Sequence, residues 1–386
     1  MRAAKSYAVI ILGLGGMGSA AAWQLARRGV RTLGLEQFTP AHNQGSSHGR
    51  TRVIRQAYFE HPSYVPLLLR AYELWHEAER ESDEKLLTLC GGLMMGSPNS
   101  EVVAGSIRSA IEHRLDHEIL TSRQVRQRYP PISIPENHMA LFERLAGLVF
   151  TEKAVSTHLD LAAKWGADLH FEEPAISWTP EPGGGVSVKT AKDTYYGDRL
   201  IVTPGPWAPQ MLSDLGMPLK VERQVLYWFQ PQCGVQPFLP DRFPIYIWQN
   251  DQGLQPYGFP AMDGPDGGVK IAFFRIPQAQ ICTPETINRG FFPEDEAAMR
   301  KSIREFLPDL DGPLVHATTC MYTTTPDMNF LIGLHPQFPQ VSFAAGFSGH
   351  GFKFCSVVGE IMADLAINGH TPHDLSLFNR QRFSKA

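Results

Sequence analysis

A short apolar run, Tyr7 to Leu12, leads directly into Gly13-Leu14-Gly15-Gly16-Met17-Gly18. This junction constrains the fold more than any other stretch of the chain. The run is rich in β-branched residues and reads as a strand buried on both faces. The glycines have G-x-G-x-x-G spacing, Ser19 to Arg28 reads as a helix ending at Gly29, and Val30 to Leu35 reads as a second strand closed by Glu36. Each part has a physical task in a βαβ unit that binds a dinucleotide. Gly13 permits the tight turn, Gly15 lets the backbone approach a pyrophosphate, and Gly18 allows close helix–strand contact. The helix N-terminus favours phosphate, and Glu36 can accept hydrogen bonds from a ribose. The motif alone leaves FAD and NAD open.

Composition narrows the partners. A net charge of -4 leaves no basic excess for a nucleic acid backbone. No apolar run approaches the length needed to span a bilayer, so no membrane partner is expected. The five cysteines, at 90, 233, 282, 320 and 355, are widely spaced and contain no CxxC, which argues against disulfides and a metal site. No signal peptide is recognisable, and Ser384-Lys385-Ala386 falls short of a peroxisomal S-K-L, so the expected location is the cytoplasm.

Further along, Tyr64 to Glu81 has the apolar periodicity of an amphipathic helix, as do Val102 to His113 and Val155 to Trp165. Strands are expected at Gly92 to Met95, Asp168 to Phe171, Val186 to Lys189 and Arg199 to Val202. Thr203-Pro204-Gly205-Pro206-Trp207 then forms a turn where Gly205 and Trp207 could approach a cofactor. From about 219 to 319 the pattern changes to extended segments rich in aromatics and proline, as in an antiparallel sheet. A last strand, Val341 to Gly346, precedes a second glycine-rich turn with Gly349 and Gly351, and then an apolar helix through Ala366. The fold class is therefore α/β, α+β overall: a Rossmann-type dinucleotide domain (1–85, 150–218 and 320–386) interleaved with an antiparallel-sheet substrate domain (86–149 and 219–319). In the segment Gly45 to Tyr58, Arg52 and Arg55 flank apolar Val53 and Ile54, so at least one guanidinium should face inward toward an anion.

These motifs in this order resemble the monomeric sarcosine oxidase family, which includes N-methyltryptophan and pipecolate oxidases. The resemblance rests on Gly13 to Gly18, Gly45 to Tyr58, Tyr257-Gly258-Phe259-Pro260, Lys270, Thr286-Ile287-Asn288-Arg289, Cys320-Met321-Tyr322 and Gly346 to Phe354. It implies FAD rather than NAD, joined covalently at its 8α position to the sulfur of Cys320. It also implies a monomer that oxidises a secondary amino acid, sarcosine or another N-alkyl or cyclic one, to an imine while O2 becomes hydrogen peroxide. Arg55 and Lys353 match the family's carboxylate clamp, Lys270 its oxygen-activating lysine, and His48 and Arg52 residues beside the flavin ring. Tyr257, Tyr322 and His350 match pocket-lining positions, to which Tyr58 is added. By residue type alone, Lys270 in a strand would face solvent. Competing readings are an FAD dehydrogenase with another electron acceptor, an NAD dehydrogenase, and a flavin-binding module without turnover.

The chain departs from the family pattern at three places. Arg50 stands where relatives commonly have Asp, which adds charge to the flavin-side loop. Two extra residues lie near Pro265-Asp266. Phe274 replaces a usual His four residues after the lysine. Its larger, apolar ring implies a bulkier or more apolar substrate than sarcosine.

Overall fold

A computed structural model describes residues 6–276 and 279–383. The C-terminal tripeptide considered above lies outside them. Strand Ser6–Leu12 sits inside an eight-stranded sheet, parallel to Thr32–Leu35 on one side and Thr194–Val202 on the other. Asp168–His170 and Val341–Ala345 extend this sheet in parallel, and three antiparallel strands complete it. The continuous apolar run follows from this position, because Tyr7, Ile10 and Leu12 are buried in one core while, on the opposite face, Val9 and Ile11 pack beneath helices Gly16–Ala26 and Cys355–Asn368. Helices Val65–Ser82 and Thr151–Lys164 pack outside them and bury Trp75 and Val155 in the same core. The element boundaries differ from the sequence expectations mainly by a few residues at each end.

The first turn of helix Gly16–Ala26 lies close against the strand end. A Cβ on Gly18 would collide with the carbonyl oxygen of Gly13 and lie 2.7 Å from Thr203 Oγ1. Only glycine fits there, which is the close helix–strand contact expected of it.

A nine-stranded, largely antiparallel sheet forms the second unit. Lys220–Phe229 lies at its heart, paired with Val269–Phe273 on one edge and with Leu314–Thr324 on the other. Register decides which side chains share a face. Trp228 is opposite Lys270, Tyr257 opposite Ala272, Glu222 opposite Tyr322 and Gln224 opposite Cys320. Lys270, Tyr257, Cys320 and Tyr322 therefore emerge from one face, and the alternation through Ala272 carries Phe274 to the same side. The other face carries Val225, Tyr227, Phe229, Ile271 and Phe273 against helix Pro293–Phe306. Leu314–Thr324 belongs wholly to this sheet, so position 320 lies inside a strand and not at a junction between segments.

A small third sheet joins the two units. Its strands are Thr51–Ile54, Gly147–Phe150 and Leu87–Thr88. Just beyond it, the buried Glu143 carboxylate accepts the N–H groups of Gln56 and Ala57, both at 2.8 Å. Among the described residues no helix is long and apolar enough to cross a membrane.

Two substitutions test these contacts. Gly18→Ala should lower stability by about 1–3 kcal/mol by overpacking the strand end, read as a shifted urea midpoint. Glu143→Leu should cost roughly 2–4 kcal/mol by leaving two buried N–H groups unpaired. A midpoint unchanged in either variant would contradict the contact concerned.

Candidate active site

One cavity of about 660 Å³ runs along the contact between the two large sheets. Gly13, Gly15, Glu36, Gly205 and Trp207 line it, together with Gly349 and Gly351 of the second glycine turn. Gly15 is the N-cap of helix Gly16–Ala26 and provides no side-chain cap, so the helix presents uncapped amides toward the cavity. Gly16 N–H is taken by Ser47 Oγ at 3.0 Å, and the nearest atom to a Cβ built on Gly15 is that same Oγ at 3.5 Å. The buried Glu36 carboxylate accepts Leu14 N–H at 2.8 Å and Phe38 N–H at 3.1 Å, which fixes its orientation on the cavity wall. An uncapped helix end, an open glycine backbone and an oriented acid fit the pyrophosphate and ribose of a dinucleotide.

Arg52, Arg55, Glu60, Tyr257, Phe274, Tyr322, His350 and Lys353 line the same cavity. Arg55 is almost fully buried. Its Nη2 donates to both Glu60 oxygens at 2.8 and 2.6 Å, and its Nη1 donates to Ala57 O. Burial alone would raise the Glu60 carboxyl, but the Arg55 guanidinium paired with it, helped by Lys353, holds it below the usual carboxylate range. Glu60 escaped the sequence reading, although an acid directly after Tyr58-Phe59 and five residues beyond an inward arginine was a usable signal.

Lys353 is buried too, and its Nζ donates to His350 O at 2.8 Å. Burial first, then Arg55, pushes its pKa down to about 7. Gly349 has φ +81°, and a Cβ there would lie 2.5 Å from the Tyr322 ring. This glycine lets the turn approach the sheet closely enough to bring Lys353 and Tyr322 to one cavity. His350 is neutral, its pKa pushed down to about 3 by burial. Its partners settle the tautomer: Nε2–H donates to Met328 O at 2.9 Å, and Nδ1 accepts from Tyr58 OH at 2.6 Å. Tyr58 therefore does not line the pocket as expected. It lies fully buried behind His350, its hydroxyl committed to that ring and its face covered by Arg55 at 4.1 Å.

Gly18, His48, Cys320 and Lys270 also stand one step back from the cavity wall. Arg52 connects two of these positions to it, Cys320 directly and Lys270 through the shared Thr51 carbonyl. Its Nη2 donates to Ser46 O at 3.0 Å and approaches Cys320 Sγ at 3.5 Å, while its Nη1 donates to Thr51 O. Burial would raise the Cys320 thiol, but the buried His48 and then Arg52 more than reverse this and draw it down to about 6. Nε2 of His48 makes no hydrogen bond.

Lys270 does not face solvent as its residue type suggested; the sheet register turns it inward and leaves it 3% exposed. Its Nζ donates to Gly49 O and Thr51 O, both at 2.6 Å, and lies over the Phe259 and Trp228 rings. Burial and then Arg52 hold its pKa well below the usual lysine value. Arg50 brings no charge to the cavity. It pairs with Asp263 at 2.8 Å, in the loop before strand Val269–Phe273, and stacks over Trp228. Phe274 lines the wall, edge-on to Phe59 and His350. All five cysteines are free.

Comparison with known proteins agrees with this geometry. Residues 8–365 match the family described as FAD dependent oxidoreductase. A monomeric sarcosine oxidase of Streptomyces avermitilis is 53% identical over 99% of both chains. An N-methyl-L-tryptophan oxidase of Salmonella enteritidis is 34% identical over 98% of this chain and 100% of its own. The structure of an L-proline dehydrogenase from P. horikoshii superposes with a TM-score of 0.85, covering 99% of both chains at 21% identity, a likeness of fold. Relatives alike along nearly their whole length, and a family match that spans both sheets, place this enzyme in the FAD-dependent oxidoreductase family.

Proposed function

We propose that this enzyme is an oxidase of secondary amino acids, acting on sarcosine or another N-methyl, N-alkyl or cyclic amino acid, with O2 as acceptor and hydrogen peroxide as product. The observation that carries this reading is the pair of buried cations, Arg55 and Lys353, on the wall of the cavity that holds the dinucleotide cradle. Fixed buried positive charge requires an anion. Glu60 offsets part of the Arg55 charge, but the Arg55 Nε–H has no partner, so Arg55 and Lys353 together favour a carboxylate of the substrate. Relatives named sarcosine oxidase and N-methyl-L-tryptophan oxidase share that chemistry of a carboxylate beside a secondary amine.

FAD supplies the two-electron acceptor when bound, and the electrons then pass with two protons to O2. The chain's own residues bind, orient and shield. Arg55 and Lys353 hold the carboxylate, a planar fork beside a point charge. Tyr257, Tyr322 and Phe274 bound the space for the amine substituent and keep it dry. The substrate amine must be neutral to give up a hydride, and His350, with both nitrogens already engaged, neither takes nor donates that proton. Lys270 is assigned to stabilise the negative charge that develops on oxygen. His48 and Arg52, which lower the Cys320 thiol, would lie beside the flavin ring when FAD is bound, and the Cys320 sulfur is assigned as the covalent anchor. The two separate large sheets support a division into a dinucleotide unit and a substrate unit, with the last boundary moved from 319/320 to beyond Thr324, because Leu314–Thr324, which carries Cys320, is one strand of the substrate-side sheet. A cytoplasmic monomer is proposed with it.

Mapping of the acid-denatured holoenzyme should find an FAD adduct on the Cys320 peptide, and Cys320→Ser should lack it; an unmodified peptide would exclude the linkage. Because the thiolate is lost as pH falls through about 6, covalent loading of the apoprotein should slow below that value. A loading rate independent of pH from 5 to 8 would remove Cys320 activation from the account.

Arg55→Ala should raise KM roughly 10- to 100-fold. Lys353 loses its proton as pH rises through about 7, so acetate should bind the oxidised enzyme more weakly above that pH, and Lys353→Arg should abolish the dependence. A pH-independent acetate affinity in the parent enzyme would count against the clamp. In a substrate panel, a bulkier or more apolar N-alkyl or cyclic amino acid should exceed sarcosine in kcat/KM, and Phe274→His should shift preference back; sarcosine as the best substrate would refute the role given to Phe274.

A further inference from the structure

We infer that Glu152, which touches neither the cavity nor any cation of the site, is a positioning residue that sets Lys270 and Arg52 through the backbone turn at Gly49-Arg50-Thr51. The inference rests on the oxygen-activating role proposed for Lys270.

The turn is bent in an unusual way. Gly49 has φ +94° and Arg50 has φ +69°, so two successive residues lie in the left-handed region, and the second is not glycine. That conformation points consecutive N–H groups the same way and forms a small anion-binding concavity. One carboxylate fills it. Gly49 N–H donates to Glu152 Oε1 at 2.6 Å, and Arg50 N–H donates to Oε1 and Oε2 at 3.1 and 3.0 Å. Thr151 N–H donates back to Arg50 O at 2.9 Å, so the start of helix Thr151–Lys164 grips the turn from both directions.

With the amides turned toward Glu152, the carbonyls of Gly49 and Thr51 face the other way, and these hold the cations. Gly49 O and Thr51 O receive Lys270 Nζ, and Thr51 O also receives Arg52 Nη1. Gly49 O takes Thr51 N–H at 2.8 Å as well, which closes the turn on itself. The Arg50 side chain does not explain its backbone conformation, because it reaches outward to Asp263. Without the carboxylate, Arg50 has no compensation for its left-handed backbone. The turn should relax, and the two carbonyls that aim Lys270 should leave their places.

The experiment separates the two halves of the reaction in the flavin-loaded enzyme. Dithionite-reduced holoenzyme is mixed with oxygenated buffer to measure reoxidation, and oxidised holoenzyme is reduced anaerobically with sarcosine. The variants are Glu152→Gln, Glu152→Ala, Arg50→Asn, the Glu152→Ala/Arg50→Asn pair and Lys270→Met. Loss of aim at Lys270 should slow reoxidation by Glu152→Ala roughly 10- to 100-fold, with a much smaller change in anaerobic reduction. Glu152→Gln, which keeps one acceptor oxygen, should fall between Glu152→Ala and the parent. Asparagine tolerates the left-handed region, so Arg50→Asn should restore part of the lost rate in the Glu152→Ala background, a rescue that loss of general stability would not show. Parent-like reoxidation in both Glu152 variants, with slow reoxidation in Lys270→Met, would overturn the inference and leave the role of Lys270 standing. Parent-like reoxidation in Lys270→Met would remove that role and the inference with it. Equal slowing of both half-reactions without rescue would mean that Glu152 merely supports the fold, which also overturns it.

Discussion

Burying positive charge is the constraint on which this site depends. Arg52, Arg55, Lys270 and Lys353 converge on one region between two sheets, and Glu60 is the carboxylate that pairs directly with one of them. Coulomb repulsion and lost hydration both oppose such a cluster. The protein answers with main-chain oxygens: Ser46, Gly49, Thr51, Ala57 and His350 each offer a carbonyl to a cationic side chain. Those carbonyls are available because their segments are irregular, held in turns that ordinary strands would not provide.

The irregular segments are themselves tied down by acids at a distance. Glu143 engages the amides of Gln56 and Ala57, and Glu152 those of Gly49 and Arg50, so the segment between them is held at both ends. At the Gly49–Arg50 peptide, Glu152 on the amide side and Lys270 on the carbonyl side polarise one peptide group in the same sense. Part of the charge is thereby balanced across the backbone, by two acids that stand outside the cavity.

The sequence made the dinucleotide unit plain because its signals are local. A two-sided apolar strand, glycines at fixed spacing and an acid at the next strand end depend only on near neighbours along the chain. The antiparallel sheet was recognisable as a class from its aromatic and β-branched content, yet its register was not. Whether Lys270 faces solvent or the interior depends on its pairing with Trp228, a partner far away in sequence. Tyr58 was misplaced for the same reason, since its burial is fixed by His350 nearly three hundred positions on. Glu152 left no local trace at all: one glutamate in the first turn of a helix is an ordinary helix-start residue until the turn it grips is known. Arg50 looked like surplus charge beside the cofactor, and only the folded chain reveals Asp263 as its partner.

The shared face of the nine-stranded sheet has a consequence for how such an enzyme can diverge. Lys270, Ala272 and Phe274 stand in a row, and a single residue gained or lost inside that strand would turn all three away together. Length variation is therefore tolerated only outside the strand, as in the loop that precedes it. Chemistry and selectivity can vary separately along the row, because Lys270 and Phe274 are alternate side chains on one face. New specificities in this lineage should therefore arise by exchange of alternate side chains on an unchanged backbone.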